Sequence, residues 1–108
     1  MDVFVQVLTT CETKDQAEKI AEALVDRKMA GCVQIVGPIT SIYRWKGQIE
    51  KAEEWLCIIK TKAELFHDVE KIIIQNHTYE TPEIISTPIT AGNKEYFQWL
   101  KNEVRTIE

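Results

Sequence analysis

Residues 39–60 read Ile39-Thr40-Ser41-Ile42-Tyr43-Arg44-Trp45, then Lys46-Gly47-Gln48, then Ile49-Glu50-Lys51-Ala52-Glu53-Glu54-Trp55-Leu56-Cys57-Ile58-Ile59-Lys60. The stretch reads as a β-hairpin turning at Lys46-Gly47-Gln48, where Gly47 supplies the positive φ that a short loop needs. Alternation puts Ile39, Ser41, Tyr43 and Trp45 on one face, and Thr40, Ile42 and Arg44 on the other. On the return arm, Glu53, Trp55, Cys57 and Ile59 face one way, and Glu54, Leu56, Ile58 and Lys60 the other. A first arm that begins near Cys32 holds roughly twice the usual 5–6 residues of a strand. At about 3.3 Å per residue it must outrun the sheet of a small domain. The overhang is expected to carry Tyr43, Trp45 and Trp55. A two-stranded ribbon is marginal alone in water. Its unpaired edges and aromatic side chains therefore ask for a partner chain. The competing reading is a bent hairpin that folds back on its own core.

Outward from the hairpin, the chain sets bounds. Its 108 residues suit one domain with one core, residues 1–108. Hydrophobic residues make up 44% and charged residues 28%, ordinary values for a soluble protein. A net charge of −4 argues against a nucleic-acid backbone as the main partner. No apolar run of about 18 residues is present, so no membrane span is expected. The opening Met-Asp-Val-Phe-Val-Gln-Val-Leu alternates like a strand and lacks the basic start and cleavage site of a signal peptide. Cys11, Cys32 and Cys57 form no C-x-x-C pair, and their odd number fits reduced thiols in a cytoplasm.

Before the hairpin, Val3 to Thr10 is a strand with apolar residues on both faces, which marks a central position. Thr13 with Gln16 makes a capping box for a helix whose stripe is Ala17, Ile20, Ala21, Leu24 and Val25. Gly31 is expected to end that unit. Gly37-Pro38 predicts a bulge or bend in the strand from Cys32 to Trp45. After the hairpin, Thr61 and Glu64 suggest a second capping box. The following helix carries Leu65, Phe66, Val69, Ile72 and Ile73 on its apolar side. Asn76 to Pro82 is a polar loop. Glu83 to Ile89 reads as a short strand, and Pro88 puts it at a sheet edge. Gly92-Asn93 turns the chain into a last helix with Tyr96, Phe97, Trp99, Leu100 and Val104 on its apolar side. This helix either closes the open end of the sheet or docks on a neighbouring subunit. The order βαββαβ plus a C-terminal helix is an α+β, ferredoxin-like split βαβ arrangement.

Chemistry is sparse. No nucleotide-binding glycine motif and no paired-cysteine or H-E-x-x-H zinc spacing is present. Cys11 stands just ahead of a helix N-terminus, where the dipole lowers a thiol pKa, although Glu12 opposes that. It is a candidate soft-metal ligand or nucleophile, although an isolated cysteine is more often an ordinary thiol. Cys32 and Cys57 read as packing residues. His77 opens the loop His-Thr-Tyr-Glu-Thr-Pro-Glu, beside Tyr79, Glu80 and Glu83, and one histidine with carboxylates is a weak metal signal. Its competing role is a packed loop. Lys60 either pairs with Glu54, contacts an anion, or snorkels at the sheet end.

Three segments together resemble one family: Thr-Ser-Ile-Tyr-Arg-Trp-Lys-Gly-Gln-Ile, Glu-Glu-Trp-Leu-Cys-Ile-Ile-Lys-Thr, and His-Thr-Tyr-Glu-Thr-Pro-Glu-Ile. They are similar to the divalent-cation tolerance (CutA) family, as are Arg-Lys-Met-Ala-Gly-Cys-Val and Pro-Ile-Thr-Ala-Gly-Asn-Lys-Glu-Tyr. The resemblance implies a PII-like subunit in a tight homotrimer whose long β2–β3 hairpins pair across subunits. It implies tolerance to copper or another divalent cation, and no defined reaction. Some members bind copper through a first-strand cysteine and a His-His pair. Those positions are Thr9 and Asn76-His77 here, so only His77 matches. The family's inter-subunit cleft maps to Trp45, Glu54, Lys60, His77 and Tyr79. Three readings follow: a metal-homeostasis trimer led by His77 with Cys11 or a carboxylate, a PII-like sensor of a small anion through Lys60, and a structural trimer without ligand chemistry. An enzyme is not expected, because no nucleophile stands with its base at readable spacing.

Overall fold

The computed structural model describes residues 2–107. The strand against which the rest is laid is β1 (Phe4–Cys11), apolar on both faces as a central strand must be. Thr13 caps α1 (Lys14–Asp26) by accepting the N–H of Gln16 at 3.1 Å. The reciprocal half of the expected capping box does not form. Gln16 donates its side-chain amide to the carbonyl of Asn76 instead, which ties the start of α1 to the end of α2 (Phe66–Asn76). The left-handed residue after α1 is Lys28, with φ 59°, and not Gly31. Gly31 answers a different need: a Cβ there would run into the side chain of Leu100.

The hairpin is built from β2 (Cys32–Trp45) and β3 (Gln48–Lys62). Its turn is one residue tighter than expected. Lys46 and Gly47 alone make it, with φ 49° and 79°, and Gln48 already pairs with Trp45. Positive φ at both central residues is what a two-residue type I′ turn requires, because its twist matches that of the flanking strands. Val36 pairs with Leu56 and Ile39 with Glu54, so Gly37 and Pro38 together oppose Trp55. That is the predicted bulge. The Trp55 ring lies where a Cβ on Gly37 would be, so only glycine lets it rest there.

The sheet order is β2-β3-β1-β4, with β4 (Ile85–Pro88) at the edge beside β1. Every pairing is antiparallel. β4 begins later than Glu83 and is exposed throughout, while its edge position agrees with Pro88. The β1–β3 ladder ends at Cys11 opposite Trp55. Trp55 therefore belongs to the four-stranded sheet and not to the overhang, a correction to its expected place beside Tyr43 and Trp45. From Ile39 and Glu54 onward only two strands continue, and the molecule extends to 44 × 26 × 21 Å.

One face of the sheet is covered by α1 and α2. Val7, Cys11, Cys57 and Ile59 meet Ala17, Ile20, Leu24, Val69 and Ile73 in a single core cluster, all fully buried. Thr61 lies inside β3 and donates its hydroxyl to the Met29 carbonyl at 2.6 Å. It therefore caps nothing. A short 3-10 turn, Ala63–Leu65, leads into α2 with no side-chain cap. The C-terminal helix α3 (Lys94–Glu103) is capped by Asn93, which accepts the N–H of Tyr96 at 2.9 Å. It docks on its own chain. Phe97 stacks on Phe4 with ring centroids 4.7 Å apart, and Leu100 is fully buried. Beyond α3 the open face of the sheet is bare: Leu8, Leu56 and Ile58 are half-buried, and Val36 and Ile85 are exposed.

Candidate functional site

The open-face side chains of the hairpin root meet the loop after α2 in a cavity of about 640 Å³. Alternation along β2 sends Ser41, Tyr43 and Trp45 to it, and β3 contributes Glu54 from the same face. The far wall is Thr78, Tyr79, Glu80, Thr81 and Glu83, and Thr10 forms part of the floor. Glu54 is only 7% exposed. Its Oε2 accepts the Tyr79 hydroxyl at 2.7 Å. Burial, and next the hydrogen bond to the Glu54 carboxylate, hold the Tyr79 phenol well above the usual range. Among the described residues no lysine, arginine or histidine forms an ion pair with Glu54, and none lines the cavity.

His77 fixes the loop from below. Its Nδ1 accepts the Tyr79 backbone N–H at 3.0 Å, so the ring proton sits on Nε2 and is donated to the Thr10 carbonyl at 2.8 Å. The imidazole also packs on the Tyr79 ring, centroids 4.8 Å apart. Thr78 reinforces the loop by donating its hydroxyl to Glu12 at 3.0 Å. Cys11 Sγ lies 3.9 Å from His77 Nε2. The two candidate metal ligands are thus brought together, and neither is free. Both ring nitrogens of His77 are used. Cys11 is fully buried, and the Cys57 thiol beside it, together with burial, pushes its thiol well above the usual range. The helix dipole and Glu12 were expected to pull this thiol in opposite directions; the neighbouring Cys57 and burial raise it. Asn76, where the resemblance implies a second histidine, donates its amide to the Ile72 carbonyl at 2.9 Å inside α2. Among the described residues no three of histidine, cysteine, aspartate and glutamate are placed to hold a metal ion. The side chains therefore do not fit a resident copper or other divalent cation within one chain.

The expected cleft set divides. Trp45, Glu54 and Tyr79 line one cavity, but Lys60 does not join them. It stands six positions along β3 and donates to Gln34 Oε1 at 2.6 Å. Tyr43 and Trp45 are each 45% exposed on the overhang, with Ile42 and Ile49 barer still on its opposite face. Reading the sequence missed Thr10, Ser41 and Thr78. Ser41 was recoverable, since it alternates with Tyr43 and Trp45. Thr10 contributes a backbone carbonyl, for which no side-chain pattern exists.

The fold and the cavity together define a class, a ferredoxin-like domain with an overlong hairpin and an acidic, aromatic cavity at its root. The family model for the CutA1 divalent ion tolerance protein matches residues 5–103. The chain belongs to that family. It is 41% identical over 95 residues to the divalent-cation tolerance protein CutA of Thermus thermophilus, which covers 88% of this chain and 92% of the relative. It is 39% identical over 99 residues to the chloroplastic protein CutA of Arabidopsis thaliana, covering 92% of this chain but 54% of the longer relative. A solved structure described as the periplasmic divalent cation tolerance protein CutA from Archaeoglobus fulgidus superposes with a TM-score of 0.90 at 38% identity, covering 97% of this chain and all (100%) of that one.

Proposed function

We propose that this chain acts as a non-catalytic homotrimer in tolerance to divalent cations, with its cavity serving as a ligand cleft between subunits. The observation that carries this reading is the overhang. Its two faces expose Tyr43 and Trp45 on one side, and Ile42 (68% exposed) and Ile49 (71%) on the other. A ribbon that is apolar on both faces cannot bury both against its own sheet. The half-buried Leu8, Leu56 and Ile58 of the open face add to the surface that awaits cover. Closed oligomers satisfy such self-complementary surfaces. The ribbon projects past the cavity, so a second copy seated there would complete its open side.

Within that reading copper or another divalent cation is a weak ligand. A metal at His77 must first displace the Thr10 carbonyl from Nε2, and among the described residues no second ligand set surrounds it. The three free thiols fit a reducing cytoplasm. No described helix is long and apolar enough to cross a membrane. The anionic-ligand reading loses its basis in the cavity, whose lining carries carboxylates and no basic side chain. The experiment is light scattering on a double variant. Ile42→Asp with Ile49→Asp should dissociate the wild-type trimer, while His67→Ala, on an exposed helix face, should leave it whole. Equal behaviour of the two would place the interface elsewhere.

A further inference from the structure

The carboxylate of Glu54 presents an unbalanced charge. It is more than nine-tenths buried, yet it accepts one hydrogen bond, from a neutral phenol, and has no cationic partner among the described residues. A buried carboxylate is costly unless it is paired and fully hydrogen-bonded. Oε2 is taken by Tyr79, which leaves Oε1 as the open acceptor of a residue that lines the cavity. The walls beside it are the aromatic rings of Tyr43, Trp45 and Tyr79, and the rim adds Glu80 and Glu83. Aromatic faces attract cations, and acidic rims raise their local concentration.

Resting on the cleft proposed above, we infer that its ligand is a small primary ammonium compound with an apolar or aromatic body. The ammonium donates to Glu54 Oε1 and balances its charge. The body lies against Trp45 and Tyr43. Each alternative class fails on a specific feature. An anion meets Glu54, Glu80 and Glu83 and no basic residue. A divalent ion needs several ligands converging on one point, and among the described residues no three of histidine, cysteine, aspartate and glutamate are placed to hold one. A neutral ligand leaves the Glu54 carboxylate without a cationic partner. The hydroxyls of Ser41 and Thr78 are in the lining and can take further ammonium protons.

A matched series isolates charge from shape. Benzylamine, benzyl alcohol and benzoate share one ring and differ in charge at neutral pH. Each is titrated calorimetrically into the full chain, whose mass is measured in the same buffer. Benzylamine should bind at least tenfold more tightly than the other two, and its affinity should fall with added salt. Glu54→Gln should abolish the preference. Because that variant alters a buried group, Lys60→Met serves as a second probe. It should leave the preference unchanged, whereas a tenfold gain in benzylamine affinity would mean that Lys60 of a neighbouring copy is Glu54's true partner and would overturn the proposal. Stronger binding of benzoate, or no binding of any of the three to a confirmed trimer, would overturn the ligand class and leave the trimer standing. A monomer that still prefers benzylamine would keep the ligand class and refute the trimer.

Discussion

Truncating Leu100 tests how the C-terminal helix is held. The side chain is fully buried, and its terminal carbon occupies the space that a Cβ on Gly31 would fill. Gly31 cannot move inward to fill the gap, because its N–H is donated to the Lys60 carbonyl at 3.1 Å and Ala30 beside it is buried. The site is thus poorly able to collapse, which places Leu100→Ala in the middle of the usual range, at about 3–4 kcal/mol. Gly31→Ala forces a methyl against a pinned leucine and should cost about 1–3 kcal/mol by overpacking. The two changes are complementary in shape. In the double variant the new methyl enters the space the leucine left. Its cost should therefore fall below the sum of the single costs by about 1 kcal/mol or more, as contacting residues do. Thermal unfolding at one fixed protein concentration reads this, since the proposed assembly would make the midpoint depend on concentration. At about 4–8 °C per kcal/mol for a domain near this size, Leu100→Ala alone should lower the midpoint by more than about 10 °C. Strict additivity, or a nearly neutral Leu100→Ala, would show that α3 does not rest on Gly31 of its own chain.

The thiols should label in an order set by burial. Cys32, half-buried, should react first with a thiol reagent in the native protein, and Cys11 and Cys57 only on unfolding; fast native labelling of Cys11, read by mass spectrometry, would contradict its place in the core. In alkaline titration followed by phenolate absorbance, Tyr79 should ionise well above the usual phenol range, and that component should be lost in Tyr79→Phe. The sign for stability follows: a folded-state phenol raised above its unfolded value favours folding below about pH 10 and loses that contribution as pH climbs further. Tyr79→Phe should lessen this alkaline loss, and an unchanged pH profile would count against the Tyr79–Glu54 bond. Copper(II) titration should give roughly micromolar affinity at best, weakened by His77→Ala and untouched by His67→Ala; tight binding that survives His77→Ala would point to other ligands.

The hairpin was legible because its signals are local. Alternation fixed both faces, Gly47 marked the turn, and Gly37-Pro38 marked the bulge. The error of one residue at Gln48 arose because Lys46 adopts the positive φ that sequence alone assigns to glycine or asparagine. Thr61 and Glu64 imitated a capping box because the pattern also occurs at the end of a strand, where Thr61 found a buried carbonyl instead. The site was legible only in part. Trp45, Glu54 and Tyr79 converge as expected. Lys60 does not, since it stands six positions along β3 from Glu54. The occupied nitrogens of His77 were beyond reach from residue types, because one of its partners is a backbone carbonyl sixty-seven positions away.

The central claim is that the exposed ribbon holds copies of this chain together. Native mass spectrometry of the wild-type protein across nanomolar to micromolar concentrations tests it most directly. A species of three times the 12.5 kDa chain that persists at micromolar concentration is expected. A monomer throughout that range would contradict it.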